Sequence, residues 1–184
     1  MEATRTFRFD GRDLLSLTAK RESYVILRDR LDEIVGELHI PNKIGKQILV
    51  MADEIFTNIA MHAYPDGEGT VAVSVRLVSY NHEDHRPTEA GLQDGVDVCM
   101  RSCRDVKDHC IELQFSDTGI PFNPLDMPEL DVANRDVEQQ IGGWGIHLVR
   151  QYADSMEYCR SGDRNVLTLK KFFSILNNGS EPAS

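Results

Sequence analysis

The chain has 184 residues, 41% of them hydrophobic and 27% charged, with 30 Asp and Glu against 20 Lys and Arg and a formal charge of −10. That length fits one domain with its own core, and the acidic balance excludes nucleic acid as a partner, because phosphate backbones need a basic face. A polyanionic ligand must then be held by a local device such as a metal, a helix N-terminus or backbone amides.

No apolar run is long enough to span a bilayer, and Met1 to Asp10 carries no apolar signal region. Cys99, Cys103, Cys110 and Cys159 lack zinc-ribbon spacing and read as reduced thiols of a cytoplasmic chain.

In chain order, Thr4 to Phe9 alternates and ends at Asp10-Gly11, which predicts a short strand. A long amphipathic helix is predicted from Leu15 to Leu38, on a stripe of Tyr24, Leu27, Leu31, Ile34 and Leu38. Pro41 opens a second helix with Ile44, Ile48, Met51, Ile55 and Ile59 inward, ending before the Pro65-Asp66-Gly67 turn. Gly69 to Tyr80 reads as a strand with Val71, Val73, Val75 and Leu77 on one face. Residues 81–107 are polar and irregular, an insertion between two paired strands. Cys110 to Ser116 resumes alternation, with Ile111, Leu113 and Phe115 inward, and Asp117-Thr118-Gly119 breaks it. Residues 120–141 are predicted to be a mobile loop, Gly143 to Ala153 a short helix, and Ser155 to Arg160 and Asn165 to Phe173 a hairpin turning at Ser161-Gly162-Asp163. Residues 176–184 read as a disordered tail on a domain spanning 1–175. The fold expected is α+β, a two-layer sandwich with helices on one face of a mixed, mostly antiparallel sheet.

Three clusters carry chemistry. Glu54, Asn58 and His62 step by four and share one edge of the second helix. A carboxamide oxygen there suits Mg²⁺, and a carboxylate there can take a proton from an attacking hydroxyl or water. On its own, the stripe reads more readily as a solvated helix face. Asp117-Thr118-Gly119 sets a carboxylate at the sheet edge, able to accept an adenine amine; alone it is also an ordinary turn. Gly142-Gly143-Trp144-Gly145 precedes a helix and offers backbone N–H groups to an anion. The dinucleotide fingerprint, the Walker A loop and the eukaryotic-type kinase motifs are not met. His82, His85, Cys99, Cys103, His109 and Cys110 are zinc-capable and close in sequence, but match no standard site.

The order of these clusters resembles the N, G1 and G2 boxes of the GHKL ATPase superfamily. Within it the chain looks most like the small anti-sigma-factor serine/threonine kinases, over roughly Thr4 to Phe173. The most specific stretches are Asp53 to Tyr64, Phe115 to Pro124, Gly142 to Asp154 and Asn165 to Leu169. The resemblance implies ATP and Mg²⁺, with Asn58 ligating the metal and Glu54 as catalytic base. It implies Asp117 and Gly119 at the adenine, Gly143 and Gly145 at the phosphates, Thr168 at the adenine from the last strand, and 120–141 as the ATP lid. Arg135 is the lid's one cation and could reach the γ-phosphate; it reads more readily as a solvated surface arginine. The implied partners are a STAS-domain anti-anti-sigma protein and a sigma factor or equivalent regulator, with a homodimer possible. The departures from the family pattern are the long 81–107 insertion, Trp144 in the glycine loop and the acid-rich lid.

Two functions follow as expectations: a regulatory serine/threonine kinase that acts by partner switching, or an ATP/ADP-dependent binding module of the same fold without turnover. The catalytic half of a histidine kinase fits less well, since no histidine precedes His39 to supply a phosphoacceptor helix.

Overall fold

A computed structural model describes residues 7–9, 12–79, 109–128 and 144–174. The elements run β1 (Phe7–Phe9), β2 (Arg12–Thr18), α1 (Tyr24–Glu37), α2 (Asn42–His62), β3 (Thr70–Ser79), β4 (His109–Asp117), α3 (Trp144–Tyr152), β5 (Ser155–Ser161) and β6 (Arg164–Phe173). The strands form one sheet in the order β1-β2-β3-β4-β6-β5, antiparallel at every pairing. This is the expected α+β sandwich, and its sheet has no parallel pair among the described residues.

The helix expected from Leu15 starts instead at Tyr24, and a strand occupies Arg12–Thr18. The local period decides between them. Leu15 and Leu17 are buried while Leu14 and Ser16 are exposed, a repeat of two that pairs Leu15 with Val73 and Leu17 with Val71. The three-and-four stepping begins only at Tyr24, and the buried residues of α1 are Leu27, Leu31 and Ile34. The helix ends with His39 at φ 52°, a left-handed position usually given to glycine, while Ile40 N–H reaches back to the Val35 carbonyl at 3.0 Å. Pro41 then starts α2.

Helix α2 buries Ile48, Met51, Ala52, Ile55 and Phe56. They pack on the inward residues of the strands: Val71 and Val73 of β3, Ile111, Leu113 and Phe115 of β4, Leu167 and Leu169 of β6. Ile146 and Val149 of α3 close the same core. The sheet's other face is polar, with Arg76 paired to Glu112 at 2.8 Å and Gln114 donating to the Thr168 hydroxyl at 3.2 Å. Lys171 anchors α3 to β6: its Nζ donates to the Tyr152 carbonyl at 2.6 Å, at the helix C-terminus, where a cation is favoured.

The 81–107 insertion and the 176–184 tail lie outside the described residues. Of the His/Cys cluster only His109 and Cys110 are described; Cys110 is buried, and burial pushes its thiol up to about 11. No helix among the described residues is long and apolar enough to cross a membrane.

Candidate functional site

A cavity of about 370 Å³ opens between the C-terminal half of α2, the end of β4 and the start of β6. Its walls are mainly apolar, from Ile55 and Ile59 on α2 to Phe115 and Leu167 on the sheet. The sequence's clusters meet here. Asn58 and His62 line it from α2, Asp117 from β4, and Gly145 from the first turn of α3. A Cβ on Gly145 would collide with Glu54 Oε2, so that glycine lets the Glu54 carboxylate sit directly against the start of α3. Burial, and then the neighbouring Asp53 carboxylate, hold the Glu54 pKa above its ordinary value.

Asp117 is 5% exposed and ends β4 opposite Asn165, the inward residue near the start of β6. Its Oδ1 accepts from Gly119 N–H at 2.8 Å and from Asn165 Nδ2 at 2.9 Å. Among the described residues, none donates to Oδ2. The turn that follows is stitched to the end of α2: Ile120 N–H donates to the Ala63 carbonyl at 2.9 Å, and Thr118 N–H donates to the Tyr64 hydroxyl at 3.0 Å. That hydroxyl in turn donates to the Thr70 carbonyl at 2.8 Å. The carboxylate is therefore aimed by three elements at once.

Gly119 meets a strict limit of space. A Cβ there would overlap the Ala63 carbonyl oxygen and lie 2.5 Å from the Ala63 Cβ. The obstacle is backbone, so the turn itself has to move. Gly119→Ala is expected to cost about 1–3 kcal/mol of stability and to weaken nucleotide binding about tenfold, read by thermal melting and nucleotide titration.

The segment after the turn is held by Arg150 of α3, whose Nη2 lies within 2.7–2.9 Å of the carbonyls of Pro124, Leu125 and Met127. The start of the expected lid thus has a fixed root on the same helix that carries Gly145.

Thr168 does not join the site. Its side chain bonds Gln114 on the polar face of the sheet, away from the helices. Strand alternation puts Asn165 and Leu167 on the cavity side and Thr168 on the other. From β6 it is Asn165 and Leu167 that line the cavity. Gly143 and Arg135 lie outside the described residues. Sequence reasoning missed Asn165, Tyr64, Arg150 and Arg160. Asn165 alone left a signal, as a polar residue at an inward position of the Asn165, Leu167, Leu169 alternation.

The donor set fits a purine nucleotide: a largely apolar slot with one oxygen of the Asp117 carboxylate free at its base, and a carboxamide on the helix edge. Among the described residues the Asn58 side chain makes no hydrogen bond, which leaves its oxygen free for a hard cation. Residues 17–171 match the family model of the histidine kinase-like ATPase domain, a span that takes in Glu54, Asn58, Asp117, Gly145 and Asn165. No curated protein matches the chain at a significant level.

Proposed function

The chain belongs to the histidine kinase-like ATPase domain family and is an ATP-binding domain of GHKL type, and from that premise we propose that it is a regulatory serine/threonine protein kinase of the anti-sigma type. It takes Mg-ATP, phosphorylates a STAS-domain antagonist in the cytoplasm, and controls a sigma factor or equivalent regulator by partner switching. The observation that carries this reading is Glu54. A plain nucleotide binder has no need of a partly buried carboxylate held above its ordinary pKa one helical turn from Asn58 and against Gly145.

Glu54 takes the proton of an incoming serine or threonine hydroxyl. The hydroxyl oxygen bonds to the γ-phosphorus as the bond to the bridging oxygen breaks, and ADP leaves. Mg²⁺, held through the Asn58 carboxamide oxygen, would supply neutralisation of the phosphate charge. Asp117 orients the base, and the apolar walls exclude water from the slot. The product's added charge, up to −2, is repelled by a chain of formal charge −10, which gives a physical route to partner release.

One observation favours the binding module without transfer: no Lys or Arg lines the described part of the cavity. Incubating the full chain with γ-labelled Mg-ATP and candidate STAS proteins separates the two. Label on a STAS serine or threonine supports the kinase. Tight nucleotide binding with no label on any partner supports the module and overturns the kinase.

A further inference from the structure

We propose that Asn165 sets the base specificity of the cavity, by filling one oxygen of Asp117 so that this carboxylate presents only its other oxygen to a purine; this rests on the reading of the cavity as an ATP site. Asn165 is 6% exposed. Its carboxamide is saturated. Nδ2 donates to Asp117 Oδ1 at 2.9 Å and to the Ile120 carbonyl at 3.0 Å. Oδ1 accepts from the Tyr158 hydroxyl at 2.8 Å and from Arg160 Nη1 at 2.7 Å. The same Arg160 nitrogen also donates to the Gly119 carbonyl at 3.0 Å, so the amide and the turn share an anchor. With donors on one side and acceptors on the other, the amide has one orientation consistent with its neighbours.

That arrangement decides what a base can meet. Asp117 Oδ1 already accepts from Asn165 and from Gly119 N–H. The backbone N–H groups of Thr118, Gly119 and Ile120 go to Tyr64 Oη, Asp117 Oδ1 and the Ala63 carbonyl. Of the Asp117 carboxylate only Oδ2 is left without a donor among the described residues, and none of those three N–H groups is left to donate to a base. The 6-amino group of adenine matches it. The 6-oxo group of guanine or hypoxanthine would be desolvated against an acceptor. Guanine's paired N1–H and 2-amino donors need two carboxylate oxygens side by side, and one of them is filled. Rejection of the wrong base comes from an unpaired buried polar group, the strongest discriminator a site can build.

The test titrates Mg-ATP and Mg-GTP by calorimetry into the full-length chain, its Asn165→Ala variant and its Tyr158→Phe variant. The wild type prefers ATP. In Asn165→Ala the ratio of the two dissociation constants falls by about tenfold, since Oδ1 then keeps only the Gly119 N–H and has a lone pair open to a second base donor. Tyr158→Phe keeps the ring and frees one anchor of the amide, so the ratio moves the same way by less; it is the variant read if Asn165→Ala fails to melt cooperatively. A merely structural role weakens both nucleotides alike, so an unmoved ratio in a folded variant overturns the proposal. A wild type that binds neither nucleotide overturns the ATP site itself, and this inference with it.

Discussion

Replacing Glu54 by glutamine is expected to cut phosphoryl transfer by about 10²–10⁴-fold, the worth of a positioned general base, with ATP affinity changed little. Glutamine keeps the shape beside Gly145 and lacks only the capacity to accept the proton. The pH dependence follows from the same group. Burial and then Asp53 raise the Glu54 pKa, so the acid limb of the wild-type rate lies at higher pH than an unperturbed carboxylate would give. The linkage has the opposite sign to that of an ion-paired carboxylate. A group whose pKa is raised in the folded state stabilises the fold below its unfolded pKa, and that contribution is lost as pH rises through the folded value. At neutral pH the ionised Glu54 therefore opposes folding. The glutamine variant is expected to melt no lower than wild type at neutral pH and to lose that advantage below the ordinary carboxylate range. Single-turnover transfer to a STAS substrate and melts at two pH values measure both effects. Wild-type rates from Glu54→Gln would remove the base assignment and leave the nucleotide site standing.

Most of the architecture was legible because two periods write themselves into the chain. The α2 stripe of Ile48, Met51 and Ile55 and the β3 run of Val71, Val73 and Val75 bury the residues their spacing singles out. The failure at Leu15 has a physical cause. Leu15 and Leu17 are apolar residues just upstream of a helical stripe, and a repeat of two over so few residues is easily absorbed into a period of 3.6. The pairing with β3 that fixes them as a strand is a long-range fact. The site shows the same division. Glu54 and Asn58 share an edge because of helix geometry, and Asp117 ends a strand where the alternation stops. What holds Asp117 comes from Tyr64, Asn165 and Arg160, three residues whose roles depend on strand register and on the approach of α2 to the turn. The resemblance implied Thr168 at the adenine, but one step along β6 reverses the side, and the register of Asp117 with Asn165 sets Thr168 on the face away from the cavity.

Asp117→Asn is expected to weaken ATP binding by about 10–100-fold without unfolding the chain, the worth of a hydrogen bond to a charged group. The amide can keep its oxygen toward Gly119 N–H and Asn165 Nδ2, which hold Oδ1 at 2.8 and 2.9 Å. Its nitrogen then takes the place of Oδ2, and a donor faces the donor of the adenine amine. The loss is one of sign, so it is accompanied by a gain: a base with a 6-oxo group now meets a donor, and ITP is expected to bind the variant better than ATP does. Asp117→Ala differs in kind. It strips the partner from two buried donors, Gly119 N–H and Asn165 Nδ2, and is expected to cost about 1–3 kcal/mol of stability as well as affinity. Titration of ATP and ITP against the asparagine variant, beside a melt of the alanine variant, separates recognition from support. Unchanged ATP affinity in Asp117→Asn would mean that the base lies elsewhere in the cavity, and the free oxygen at its foot would then have another ligand to find.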